Sequence, residues 1–204
     1  HHLSTREETD AFKQRFDVST TPQAFIADER IGGYTDLAQH FGRARDPDAT
    51  SYRPVIAVFA VGAALAIALS QFVFGTALTI RTAEWFVAFS MAMLAMLKLQ
   101  DVEQFSTMFV GYDLLGQRWV RYAYAYPFLE AAAAVLMAGR LLPWLSIPIA
   151  LFIGTVGAVS VFYAVYIQKR EIKCACVGGS ANVPLGFISL TENLAMMGMG
   201  IWML

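Results

Sequence analysis

The chain changes its pattern of apolar and polar positions once, near residue 53. Before Tyr52 apolar side chains are scattered among charges, and after Arg53 long apolar runs recur between short polar stretches. Residues 54–74 offer about twenty positions without a charge, which at about 1.5 Å per residue matches the roughly 30 Å of bilayer hydrocarbon. Runs at 83–99, 120–138, 144–167 and 185–204 predict four more spans, with Arg140 and Pro143 marking the turn between the third and fourth. Residues 100–119 are amphipathic and too polar to span, and they predict a helix lying in the interface.

The polar front reads differently. Residues 3–16 mix charges around Phe12 and Phe16 and predict a short amphipathic helix capped by Ser4 or Thr5. Residues 21–27 predict a strand with Ala24, Phe25 and Ile26, Asp28 and Glu29 a turn, and Arg30 and Ile31 a return. Gly32 and Gly33 end that return before a helix over 34–41. Residues 42–53, rich in Asp, Arg, Pro and Ser without apolar period, predict a linker. The organisation is therefore a small α/β segment (1–41), a linker (42–53) and an all-α membrane helical bundle (54–204) of about five helices. His1 and His2 read as the remnant of a tag or a proteolytic end. No cleavable signal peptide is visible, so the first span serves as its own insertion signal.

Composition sharpens this picture. Of 204 residues 57% are hydrophobic and 15% charged, against about 25% charged in a soluble domain, so water is not the main solvent. A net charge of -1 leaves no basic face for nucleic acid. The position of the cations says more. Arg43, Arg45 and Arg53, then Lys98, Arg118 and Arg121, then Lys169, Arg170 and Lys173 fall at alternate span ends, with Arg81 and Arg140 at the others. The richer side is expected to be cytoplasmic, which predicts a multi-pass inner-membrane protein with its N-terminus and cysteines inside and its C-terminus outside.

The chemical signal is Cys174-Ala175-Cys176, followed by Val177, Gly178 and Gly179, between the fourth and fifth spans. Two thiols one residue apart close a small, strained disulfide ring that suits exchange. Lys169, Arg170 and Lys173 before it and the start of the fifth helix after it both favour thiolate; Cys176 lies closer to that helix start. The same pair also reads as two ligands of a soft metal such as copper(I), mercury(II) or zinc, or as two packed small residues. Without a nearby His, a structural zinc site would be short of four ligands.

Ionisable and polar residues in or beside the spans are Glu84, Lys98, Asp101, Glu130, Glu192 and Asn193. Charge in hydrocarbon is costly, so these are expected to face the bundle interior, water or one another. Glu130 or Glu192 pairs with Lys98 or an Arg to fix packing, or serves a proton relay or a substrate; both readings stand. The methionines Met91, Met93, Met96, Met108, Met196, Met197, Met199 and Met203 can line a copper path, although irregular spacing favours packing. Tyr122, Tyr124 and Tyr126 are candidates for quinone contact or interfacial anchoring.

Two resemblances follow from particular residues. The stretch Thr21-Pro22-Gln23-Ala24-Phe25-Ile26 with Glu29-Arg30-Ile31-Gly32-Gly33-Tyr34-Thr35-Asp36-Leu37 resembles the C-terminal half of a glutaredoxin, a thioredoxin-like family. The resemblance implies a cis Thr21–Pro22 bond and a glutathione site at Thr21, Pro22, Gly33, Tyr34, Thr35 and Asp36. The family's Cys-Pro-x-Cys helix would precede Leu3; either a preceding segment carries it, or the segment is an adaptor without its own nucleophile. Residues 54–204 resemble the MauE family of methylamine-utilisation proteins, related to DoxX-like bundles. The matching positions are Lys98-Leu99-Gln100-Asp101, Tyr126-Pro127 with Glu130, Cys174 and Cys176 with Gly178, and Glu192-Asn193-Leu194. That resemblance implies disulfide handling during maturation of a partner enzyme.

Residues and resemblances together predict membrane-bound thiol–disulfide exchange by Cys174 and Cys176, with the lipid bilayer as surroundings. Glutathione or a glutaredoxin domain is the expected cytoplasmic partner, and a quinone or a partner thiol is the open choice on the membrane side. The alternative is a transporter or chaperone of a soft metal or thiol-bound species, using the same cysteines as ligands.

Overall fold

The computed structural model describes residues 3, 5–27, 29–43, 51–170, 172, 174 and 183–204. The chain divides into two units, His1–Ala49 and Thr50–Leu204.

In the first unit, helix α1 (Arg6–Phe16) begins at Thr5 with a reciprocal cap. The Glu8 amide donates to Thr5 Oγ1 at 3.2 Å, and the Thr5 amide donates to Glu8 Oε2 at 3.3 Å. Phe12 and Phe16, one turn apart, lie tilted against each other with ring centres 4.8 Å apart and meet Phe25 of strand β1 (Ala24–Ile26) at 6.4 and 5.0 Å. Strand β2 (Glu29–Gly32) pairs antiparallel with β1. Gly32, at φ +123°, then admits Asp36, whose Oδ2 would lie 2.2 Å from a Cβ at residue 32. That carboxylate accepts from the Gly33 amide at 2.8 Å and opens helix α2 (Tyr34–His40). The described residues form a two-stranded sheet with two helices, which is short of a thioredoxin fold.

The second unit is helical: α3 (Arg53–Phe74), α4 (Ile80–Leu99), α5 (Val102–Val110), α6 (Leu114–Arg118), α7 (Val120–Gly139), α8 (Pro143–Phe162, extended by a π-helical turn over Tyr163–Ile167) and α9 (Phe187–Trp202). Hydroxyls close the α3–α4 turn. Gly75 takes the left-handed position that ends α3, and Thr79 caps α4 while Ser70 meets Thr82 at 2.7 Å. Among the described residues three helices are long and apolar enough to cross a membrane: Arg53–Phe74, Ile80–Leu99 and Pro143–Ile167. Five such runs were expected. Helix α7 is diluted by Tyr122, Tyr124, Tyr126 and Glu130, and α9 has 16 residues, about 24 Å of helix.

Packing joins α4 to α7, α7 to α8, α8 to α9 and α9 back to α4, a closed ring, while α3 leans on α4. Side-chain size explains the closest pair. Cβ atoms at Gly154 and Gly157 of α8 would meet Asn193 O at 3.0 Å and Asn193 Oδ1 at 2.1 Å. Small residues let the two backbones approach, as is usual where lipid cannot drive helices together.

One expectation is corrected here. Residues 100–119 do not form a single interfacial helix: the chain breaks after Val110, and Phe105 and Phe109 are buried where α5 packs on α7. An amphipathic stripe that seeks an apolar partner is satisfied by a neighbouring helix as well as by lipid headgroups.

Candidate functional site

The centre of the helical unit holds an ion cluster. Lys98 in the last turn of α4 directs Nζ to Glu130 of α7, at 2.8 Å from Oε1 and 2.6 Å from Oε2, and to Glu192 Oε1 of α9 at 2.7 Å. Their exposures are 2%, 0% and 6%, so the three groups depend on one another rather than on water. Removing one partner of a buried pair costs about 3–5 kcal/mol. The Nζ also lies 5.4 Å from the centre of the Tyr126 ring. Among the described residues Glu192 Oε2 has no hydrogen-bond partner.

A chain of polar contacts leads from this cluster toward a sulfur. The Tyr126 hydroxyl donates to Asn193 Oδ1 at 3.3 Å, and Asn193 Nδ2 donates to the Ser189 carbonyl at 2.7 Å. The Ser189 hydroxyl is 3.0 Å from Cys174 Sγ. Cys174 is in a disulfide, so its sulfur is the acceptor and Ser189 the donor. Backbone bonds hold the sulfur there: the Cys174 amide donates to Val183 O and the Leu185 amide to Ile172 O, each at 2.7 Å. Beside Ser189 lies a cavity of about 10 Å³, lined by Lys98, Tyr112, Tyr126, Ser189, Glu192 and Asn193 on its polar side.

The expected residues are thus only partly gathered. Lys98, Glu130, Glu192 and Asn193 converge, and pairing of both glutamates with Lys98 is found. Asp101 does not join them. It is exposed and accepts from the Gln104 amide at 2.8 Å as the cap of α5, the ordinary use of an Asp before a helix. A reachable sulfur was expected, yet Cys174 is 1% exposed. Arg170 donates to Gly111 O at 2.9 Å. Cys176, Lys173 and Gly178, with His1, His2, Asp28 and Arg45, lie outside the described residues.

Tyr122 and Tyr126 are not interfacial anchors. Both are buried with Phe105 and Phe109, Tyr126 stacking on Phe105 at 5.9 Å and tilted against Phe109 at 4.7 Å, and Tyr124 alone of the three is exposed. Two further participants escaped the sequence reading. Ser189 is one; the other is Asp113, buried between α5 and α6, whose Oδ1 caps α6 by accepting from Leu115 and Gly116 at 3.0 and 2.7 Å. Burial pushes its carboxyl above the usual range, against the pull of those amides. Glu84 anchors a separate cluster, accepting from Arg140 at 2.6 Å, from Trp202 at 3.1 Å and from Arg81. Among the described residues no group of three or more His, Cys, Asp or Glu side chains is disposed to hold a metal.

In the first unit, Thr21, Pro22, Gly33, Tyr34, Thr35 and Asp36 line one polar pocket of about 660 Å³, with Gln23 and Arg30. The Thr21–Pro22 bond is cis, and Tyr34 is 82% exposed.

The family model for methylamine utilisation protein MauE matches residues 76–204. The match takes in Lys98, Glu130, Cys174, Cys176 and Glu192, and it begins after α3, so the first span expected within the resemblance lies outside it. No curated protein and no solved structure matches the chain. Residues 76–204 are more than half of the sequence, and the chain belongs to the MauE family.

Proposed function

We propose that this protein carries out membrane-bound thiol–disulfide exchange, with Cys174 and Cys176 cycling between disulfide and dithiol. The observation that carries the reading is the Cys174 sulfur, bonded in a disulfide and accepting from Ser189 at 3.0 Å. An incoming thiolate attacks the Cys176 sulfur and forms a mixed disulfide; the S–S bond breaks and its electron pair leaves on Cys174 Sγ. A second thiol resolves the mixed disulfide, so two thiols are oxidised for each cysteine pair reduced, and the reverse sequence oxidises a partner. Burial of Cys174 supports this assignment of roles, because in-line attack needs an open approach to the sulfur that is struck.

Glutathione is the proposed thiol. It presents two carboxylates and a backbone able to pair with another, and the pocket of the first unit joins the Arg30 guanidinium to the backbone around Gly33. A glutaredoxin domain is an equivalent donor. We further propose that α7 and α9 cross the membrane with the three longer helices, since both belong to the closed ring. By the distribution of Lys and Arg the N-terminus is cytoplasmic and the C-terminus outside the inner membrane.

Redox titration tests the reading. The protein in detergent is equilibrated with glutathione buffers of graded potential, alkylated and weighed. The expected result is a paired gain of two alkyl groups at Cys174 and Cys176 across a single transition. No transition at any glutathione ratio contradicts the proposal.

A further inference from the structure

Reduction of a disulfide leaves its electron pairs on two sulfurs, and a thiolate released in an apolar interior carries an uncompensated charge. Cys174 is buried, and the neutral hydroxyl of Ser189 donates to its sulfur. A proton must therefore reach this sulfur from inside the bundle.

The ion cluster is built to hold one. A single ammonium, Lys98, faces two carboxylates, Glu130 and Glu192, all three buried. Fully ionised, the group would keep one unbalanced negative charge out of water; one proton shared by the carboxylates removes it. Among the described residues the other titratable groups lining the cavity are phenols, Tyr126 of α7 and Tyr112 of the α5–α6 turn, while α8 contributes Gly157 and Val161. Glu192 Oε2 is unpartnered among the described residues and belongs to the residue that lines the cavity with Ser189. A cavity of about 10 Å³ is the size of one water by the usual measure of about 10–15 Å³.

We propose that the Lys98–Glu130–Glu192 cluster is the proton store for the sulfur of Cys174, delivering through one water in the cavity and the hydroxyl of Ser189. This rests on the exchange reading above. As the S–S bond breaks, Cys174 Sγ takes the Ser189 proton, the water replaces it and the cluster replaces the water's. The net step is a carboxyl and a thiolate becoming a carboxylate and a thiol. The electrons come from the attacking thiol, so no further reductant is needed, and the Lys98 ammonium then faces two anions until a proton returns.

Two measurements on the full chain in lipid nanodiscs test the step and separate it from the reading beneath it. The first follows reduction by glutathione in wild type, Glu192→Gln, Ser189→Ala and Ser189→Thr. The second is an oxidised-minus-reduced infrared spectrum taken by electrochemical reduction. The proposal expects the loss of a protonated carboxyl band on reduction, and no such loss in Glu192→Gln. It also expects reduction slowed by about a hundredfold in Glu192→Gln and Ser189→Ala, the range of a lost acid catalyst, with recovery in Ser189→Thr. Should Glu192→Gln fail to fold, Ser189→Ala and the wild-type spectrum still decide. Wild-type exchange with an unchanged carboxyl band overturns the proton store and leaves the exchange reading standing. Absence of exchange in the wild type overturns both.

Discussion

Lys98 Nζ bonds both oxygens of Glu130, at 2.6 and 2.8 Å, across the packed faces of α4 and α7. A third helix enters through Glu192 at 2.7 Å. The pairing therefore ties three of the four ring helices at one point, and Lys98→Met would leave two carboxylates together without a cation. We predict a loss of about 3–5 kcal/mol in unfolding free energy. Adding Glu130→Gln and Glu192→Gln to Lys98→Met restores most of it, since the groups couple. Denaturant titration in detergent measures both.

Gly157 predicts a second outcome. A methyl there would fall 2.1 Å from Asn193 Oδ1, whereas one at Gly198 meets nothing within 4 Å. Gly157→Ala should lower stability by about 1–3 kcal/mol through overpacking. Gly198→Ala should raise it by about 0.4–1 kcal/mol, because the unfolded chain loses freedom. Thermal melts of the pair check the contrast.

The carboxyl of Asp113 gives a dependence on pH. Burial raises its folded value above that of the unfolded chain. Protonation therefore favours the folded state. The contribution is fully present below the unfolded value and is lost as pH rises through the folded one. Asp113→Asn, which keeps a side-chain acceptor for the α6 cap, should flatten that part of the stability–pH curve. An unchanged curve would show that the titrating group lies elsewhere.

Glu84 and Arg140 differ in exposure, and so should their variants. Glu84 is buried and gathers three donors, so Glu84→Ala removes the shared acceptor of Arg81, Arg140 and Trp202; Arg81 keeps the Ala138 carbonyl and Trp202 is exposed, so the cost should be about 1–3 kcal/mol. The Arg140 side chain is 57% exposed, and Arg140→Ala should cost at most about 1 kcal/mol. Chemical denaturation of the two variants ranks them.

The long helices were legible because hydrocarbon demands unbroken apolar runs. Residues 54–74 and 120–138 differ from α3 and α7 by one residue at one end. How many runs cross was less legible, since interior helices such as α7 keep polar residues where they face neighbours. The α5–α6 break was missed because burial against α7 and burial at an interface leave the same stripe of Phe105 and Phe109. At the site, Lys98, Glu130 and Glu192 stood out because charge is rare in such helices. Ser189 did not, since a lone Ser in an apolar helix gains meaning only from Cys174, 15 residues away. Asp101 carried a readable signal that was passed over, a cap three residues before Gln104.

Trapping of a mixed disulfide tests the central claim most directly. The Cys174→Ser and Cys176→Ser variants, each incubated with glutathione disulfide and weighed intact, report which sulfur exchanges. The account predicts one glutathione adduct on Cys176 in Cys174→Ser, formed faster than any adduct on the buried Cys174 in Cys176→Ser. No adduct on either variant would contradict it.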